Sequence, residues 1–249
     1  MEPTTLRARI REDLRRQFRG ELLFDAPSRT LFATDASVFA IEPLAIAIPR
    51  DEDDLALLVR YAHDRSIPLV PRGGGTGVAG ESLGHGMIVD LSVHFRSILE
   101  VGEDWVRVQP GVVLDRLNAQ LATSGRRFAP DPASSRSCTI GGMIATDASG
   151  GRAALHGFTR DHLRSLRVVW DDATIEDLAD SSPGRTWQPR TAEIRNGVQE
   201  LIRTNAGLIE TCVSKTPFNR CGYRLENTSN LNLVRLLAGS EGTLAFTTE

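Results

Sequence analysis

A run of glycines between two apolar segments constrains this chain more than any other feature. The stretch VPRGGGTGVAGESLGHGMIVDLS, Val70 to Ser92, holds seven glycines between Gly73 and Gly86. Glycine adopts positive φ without a Cβ penalty, but it loses the most conformational entropy on folding. Such a run suits a backbone that turns sharply or closes against something. Three phosphate motifs can be tested on it. A P-loop requires GxxxxGK[ST], and here Gly75 and Gly80 are followed by Glu81 and Ser82, so a carboxylate stands where the lysine is needed. The letters GxGxxG are present at Gly75, Gly77 and Gly80, but a dinucleotide fingerprint also needs a helix opening at the last glycine. Gly84 and Gly86 break any such helix, and the apolar MIVDL follows as a strand. The third possibility is a non-helical nest, in which successive main-chain amides curl around an anion. Pro71 stiffens its start, Arg72 can supply charge, and Thr76 adds a hydroxyl. A mobile surface turn is the bland alternative. It suits two glycines better than a run bracketed by buried strands.

A second segment bears on the choice. APDPASSRSCTIGGMIATDASGG, Ala129 to Gly151, is built of prolines, small residues and glycine pairs. Almost nothing projects from it. It either approaches a flat ligand closely or packs tightly in a core, and the residues alone leave both readings open.

The rest of the chain reads as mixed α+β. LAIAIPR (44–50) predicts a strand. DEDDLALLVRYAHDRS predicts a helix capped by Asp51 or Asp53, with an acidic first turn and an apolar stripe at Leu55, Leu58 and Ala62. IPLVPR, GMIVDLS and WVRVQPG predict strands. VLDRLNAQLATSG predicts a helix stopped at Gly125. SLRVVWDDATIEDL predicts a hairpin turning at Asp171 and Asp172. The loop of Asp180–Arg190 precedes a helix with Ile194, Val198, Leu201, Ile202 and Leu208 as apolar positions. The Arg-rich N-terminus predicts an amphipathic helix with Leu6, Ile10, Leu14 and Phe18 on one face.

Composition narrows the function classes. Net charge is −3 with acids and bases interspersed, which gives no support for a nucleic-acid face. No apolar run approaches the ~20 residues of a membrane span. Three scattered cysteines, Cys138, Cys212 and Cys221, form neither a disulfide framework nor a zinc or cluster motif, so no metal site is expected and a reducing cytoplasm is the default.

Four ordered segments carry a family resemblance: LVPRGGGTGVAG, APDPASSRSCTIGGMIATDASGG, HGFTRDHLRSLRVV and AGSEGTLAFTTE. They resemble the FAD-linked oxidoreductases of the vanillyl-alcohol-oxidase type, which share a PCMH-type FAD-binding domain. The likeness is to the branch that holds the D-type subunit of glycolate oxidase, D-lactate dehydrogenase and D-2-hydroxyglutarate dehydrogenase. It covers nearly the whole chain from Ala33 onward. It implies an α+β fold of two α/β subdomains around an extended FAD, over residues 33–97 and 98–249, with 1–32 as a helical extension. It further implies that Arg72, Gly73, Gly74, Gly75, Thr76, Gly77 and Val78 wrap the pyrophosphate with main-chain amides, with Pro71 beside them in the cofactor site. Pro130, Asp131, Pro132, Ala133 and Ser134, with Cys138, Thr139, Gly141 and Gly142, would lie along the flavin and ribityl chain. Ala145, Ser149, Gly150 and Gly157 would lie near the flavin or adenosine, and Glu241 and Gly242 would close the site.

The resemblance also implies chemistry: a flavin-dependent dehydrogenase that oxidises a D-2-hydroxy acid by hydride transfer to flavin N5. Some members of the wider superfamily attach the flavin through a histidine just after the loop glycines. Gly75-Thr76-Gly77 stands there, which implies noncovalent FAD. Arg220, Tyr223 and Arg224 are candidates for an anionic-substrate pocket, with a solvated or salt-bridged loop as the alternative. No catalytic base is identifiable. His63 and His85 read as surface residues, and His156 and His162 as structural groups. The family's substrate domain follows the SEGTL segment. The chain therefore reads as the FAD domain of a longer protein, cytoplasmic or peripheral to a membrane, passing electrons to an iron–sulfur domain or a quinone. On its own it reads as an FAD-binding module with no turnover.

Overall fold

The computed structural model describes residues 3–179, 185–213, 216, 222–225 and 231–249. The first lobe begins with helix α1 (Pro3–Leu14), strand β1 (Glu21–Leu23), helix α2 (Ala26–Leu31) and strand β2 (Ala45–Ile48). Helix α3 (Glu52–Asp64) then leads to β3 (Leu69–Arg72) and β4 (Met87–Asp90). These strands form one sheet in the order β1-β2-β4-β3, with β2 and β3 parallel to β4 and β1 antiparallel to β2. Strands β2 and β4 are buried along their whole length. A sheet covered on both faces needs such continuous apolar runs rather than alternation.

Helix α3 forms where expected. The Asp51 carboxylate accepts the Asp54 amide at 3.1 Å, and Glu52, Asp53 and Asp54 crowd the positive end of the helix dipole. Residues 3–32 pack on this core. Ile10 and Leu14 are fully buried in the same core cluster as Leu55, Leu58, Met87 and Val89, and β1 extends the sheet.

The second lobe opens with the antiparallel pair β5 (Ile98–Val101) and β6 (Val106–Val108). Helices α4 (Leu114–Ala122), α5 (Ile140–Ala145) and α6 (Ala153–His156) follow. The hairpin β7 (Ser165–Val169) and β8 (Ile175–Ala179) comes next, and Asp172 accepts the Thr174 amide at 2.8 Å in its turn. Helices α7 (Pro189–Thr204), α8 (Ala206–Cys212) and α9 (Leu233–Leu237) lead to β9 (Phe246–Thr247), which pairs antiparallel with β7. A second apolar cluster joins α4, α5, β7, β8 and α9. Val169, Ala173 and Phe246 belong instead to the first cluster, so the two cores meet at the end of this sheet.

The helix after the Asp180–Arg190 loop uses a narrower face than its apolar residues suggest. Ile194 and Val198 pack on the second core and Ile202 is buried, four residues apart on one stripe. Leu201 and Leu208 are exposed. The helix is interrupted at Asn205, which ends α7, so Leu208 no longer shares its phase. Asp180 to Gly184 of the preceding loop, Cys221 and Arg220 lie outside the described residues.

Candidate functional site

A cleft of about 640 Å³ lies between the lobes, and three separate segments wall it. Residues 71–79 come from the end of β3 and the loop after it. Pro132, Ser134, Cys138, Thr139, Gly141, Gly142 and Ala145 come from the small-residue segment and α5. Ser240, Glu241 and Gly242 come from the turn after α9.

No helix follows the glycine run, and β4 begins at Met87 instead. Gly75 and Gly80 take positive φ, +60° and +82°. Among the described residues, the amides of Gly74, Gly75, Thr76, Gly77 and Val78 donate to no acceptor in the protein. Gly75, Thr76 and Gly77 are half-buried in the cleft wall, while Gly74 and Val78 are exposed, so the loop presents a row of open neutral donors.

Several glycines answer to the protein rather than to a ligand. A Cβ on Gly73 would overlap the Thr139 hydroxyl, and one on Gly74 would overlap the Ser137 carbonyl oxygen. A Cβ on Gly242 would overlap the Pro71 ring. These contacts seat the loop on the other two walls. The turn after α9 is held from α5, since the Gly239 amide donates to the Ile144 carbonyl at 2.9 Å and the Glu241 amide to the Ala145 carbonyl at 2.8 Å. Glu241 sits at φ +53°, a region non-glycine residues seldom occupy.

Beneath this wall lies a buried ion pair. Asp147 accepts the Arg160 amide at 3.0 Å and its guanidinium. Burial raises the pKa of Asp147, against the hydrogen bond and charge of Arg160. Cys138 is buried in the cleft wall, and burial raises its thiol pKa.

Of the residues expected at a cofactor site, the structure gathers Pro71 to Val78, Pro132, Ser134, Cys138, Thr139, Gly141, Gly142, Ala145, Glu241 and Gly242. Pro130, Asp131, Ala133, Ser149, Gly150 and Gly157 do not line the cleft. Asp131 is instead paired with Arg152 at 2.7 Å, and Gly150 packs on the Asp131 backbone. Gly157, at φ +71°, abuts Asp161. Tyr223 stands beside the third wall, its hydroxyl 2.7 Å from that of Thr243. Arg224 acts electrostatically on Asp147. Among the wall residues that motif reading missed are Pro110, Glu81, Thr146, Leu237 and Ser240. Ser240 belongs to the GSEGTL segment, whereas Pro110 gave no signal beyond the end of a strand.

The histidines stand apart from this cleft. His63 and His85 are exposed, and His162 Nε2 lies 2.8 Å from the His156 carbonyl. A second cleft of about 470 Å³ runs between β6 and the start of β7. Its walls carry the long side chains of Arg107, Arg126, Arg127 and Arg164 rather than bare backbone. Among the described residues no metal-ligating cluster occurs, and no helix is long and apolar enough to cross a membrane.

Comparison with known proteins identifies a family. Residues 43–179 match the family described as FAD binding domain. A D-2-hydroxyglutarate dehydrogenase of Pseudomonas putida is 41% identical over 254 residues, covering 93% of this chain and 24% of that protein. One from Escherichia coli is 37% identical, covering 93% and 24%. A D-lactate dehydrogenase of Archaeoglobus fulgidus is 30% identical, covering 84% and 38%. The chain thus spans about a quarter of the first two relatives. Among solved structures, an alkyldihydroxyacetonephosphate synthase superposes with a TM-score of 0.68 over 97% of this chain and 42% of that one, at 21% identity. That likeness concerns the fold.

Proposed function

Because the chain belongs to the FAD binding domain family, matched over residues 43–179, we propose that the cleft between its lobes holds FAD noncovalently, with the pyrophosphate on the loop from Gly74 to Val78. The observation that carries this is the row of five amides without a protein acceptor. A diphosphate supplies acceptors for them. The small-residue wall from Pro132 to Ala145 leaves room for a flat ring system, and Glu241 and Gly242 close the third side. Among the described residues the lining includes no histidine and one thiol, Cys138. Its raised pKa disfavours the nucleophilic thiolate. Both facts favour noncovalent binding.

For the whole protein we propose oxidation of a D-2-hydroxy acid. The names of the dehydrogenases it resembles support this class. Bound FAD supplies the acceptor for the hydride that leaves C2 of such a substrate. The residues of this chain bind and orient. Tyr223 and Arg224 are assigned to an anionic-substrate pocket, supported for Tyr223 by its 2.7 Å contact with Thr243 beside the third wall. Arg220, assigned with them from the sequence, lies outside the described residues. The two apolar clusters support division into lobes near residue 97, with residues 3–32 joined to the first. The free thiols Cys138 and Cys212 suit a cytoplasmic protein. An electron acceptor other than O₂, an iron–sulfur centre or a quinone, completes the reading.

Adding FAD to the purified chain tests the first proposal. A visible flavin spectrum that survives gel filtration and is released by heat or acid is expected. A chain that stays colourless after reconstitution sinks it. Screening D-2-hydroxy acids with an artificial electron acceptor on the whole protein tests the second. Turnover of none of them sinks that reading while leaving the cofactor assignment in place.

A further inference from the structure

The cleft lining contains three charged side chains, Arg72, Glu81 and Glu241. One is a cation, and it is already engaged. The Arg72 guanidinium donates to the Thr34 carbonyl at 2.8 Å and the Phe32 carbonyl at 3.3 Å, and lies over the Phe32 ring. It also forms a plate against Gly75. A Cβ built there would lie 2.8 Å from Nη2, 3.2 Å from Cζ and 3.3 Å from Nε. The segment that Arg72 grips returns to the same glycine, since the Ala36 amide donates to the Gly75 carbonyl at 3.1 Å. Asp35, between Thr34 and Ala36, accepts the Ser82 hydroxyl at 3.0 Å, farther along the loop. Glu81 folds inward, accepting the Ala79 amide at 3.1 Å.

We infer that Arg72 is a positioning residue for the anion loop: it fixes the turn at Gly75 from behind, by bridging the Phe32 and Thr34 carbonyls, and the main-chain amides alone meet the pyrophosphate. This rests on the reading of the cleft as an FAD site. The planar fork of arginine spans two carbonyls while filling the space that Gly75 leaves open. The ammonium of lysine carries the same charge but cannot form that plate. Glutamine keeps a planar amide with two N–H donors and no charge. The three replacements therefore separate shape from charge.

The test is the FAD dissociation constant, from flavin fluorescence quenching, for the wild-type chain and for Arg72→Lys, Arg72→Gln and Arg72→Met. Each is measured at ionic strengths of about 0.01 and 1 M, across which the screening length falls from about 30 to 3 Å. Thermal melts confirm folding. Hydrogen exchange of the Ala36 amide, which donates to the Gly75 carbonyl, is measured without FAD. Arg72→Lys and Arg72→Met are expected to weaken binding alike, by about tenfold or more. Arg72→Gln should recover part of the loss, with the salt dependence unchanged throughout. Exchange at Ala36 should rise in the Lys and Met variants. Near wild-type affinity in Arg72→Lys, or a salt dependence that drops in Arg72→Met, would overturn the inference and make Arg72 a phosphate contact. Unchanged affinity in all three variants would also overturn it. Failure of the wild-type chain to bind FAD removes the cofactor reading instead, and exchange in the free chain still decides whether Arg72 orders the loop.

Discussion

Glu52, in the first turn of α3, receives Arg167 of β7 across 115 residues of chain. Arg167 Nε and Nη2 both lie 2.9 Å from carboxylate oxygens of Glu52, and the Thr248 hydroxyl donates to the same carboxylate at 2.6 Å. Asp177 takes the remaining edge of the guanidinium at 2.9 Å. One bidentate pair therefore joins the first lobe to two strands of the second. The hydrogen bonds to Glu52 raise the pKa of Arg167, so it stays charged. Arg167→Met should cost about 1.5–3 kcal/mol, the range for hydrogen bonds to charged groups. In urea unfolding the midpoint should fall with little change in slope. A double-mutant cycle with Glu52→Gln should show coupling of about 0.5–3 kcal/mol. Strict additivity of the two changes would mean that the pair does not join the lobes energetically.

The glycines that seat the anion loop give the second prediction. Gly74→Asp places a side chain on the Ser137 carbonyl and adds a charge beside the open amides. Gly242→Ala adds a Cβ against Pro71 at φ +72°. Both should weaken FAD binding by at least about tenfold, or about 1.4 kcal/mol. Gly151, with nothing within 4 Å of a built Cβ, is the control. Equal FAD affinity in Gly74→Asp and Gly151→Ala, by fluorescence titration, would remove the loop from the site.

Tyr61 predicts a pH dependence. Burial and the 2.9 Å hydrogen bond to Asp13 push its phenol up from 10 to about 12. A raised folded-state pKa means that the stabilising contribution is complete below pH 10 and is lost as pH rises through about 12. In a Tyr223→Phe background, the phenolate absorbance of the folded chain should have its midpoint near 12 and return to about 10 in denaturant. Asp13→Asn should move the folded midpoint downward, leaving the part due to burial. A midpoint of 10 in the folded chain would show that Tyr61 does not anchor α1.

Cysteine labelling reports on the cleft from inside. Cys138 is buried in the wall with a raised thiol pKa, while Cys212 is exposed at the end of α8. An alkylating maleimide should modify Cys212 first and Cys138 slowly, because the thiolate is the reactive form. Bound FAD should slow Cys138 further and leave Cys212 unaffected. Peptide mass mapping over time checks this. A Cys138 rate indifferent to FAD would place the cofactor elsewhere.

Local signals were legible where local physics decides the outcome. Helix α3 follows its Asp51 cap and acidic turn, strands β2 and β4 follow their uninterrupted apolar runs, and the β7–β8 hairpin turns at Asp171 and Asp172. The missing helix after Gly80 was equally readable, because Gly84 and Gly86 forbid it. Long-range choices were not. Nothing in their composition distinguishes Gly150, which packs on Asp131, from Gly142, which lines the cleft. Leu201 looked like a core residue and faces water, because the face a helix buries depends on what lies opposite it.

The sequence by itself determined that residues 73–80 form a loop between strands and that its glycines free the backbone, and the resemblance carried by four ordered segments grouped the distant motifs. Only the tertiary structure decided what each group does there. Positive φ and missing side chains are properties of a residue. Close approach is a property of a pair, and Gly74 needs its bareness because Ser137 lies against it. Arg72 likewise reads as a phosphate ligand until the carbonyls of Phe32 and Thr34, about forty residues earlier in the chain, arrive to occupy its guanidinium.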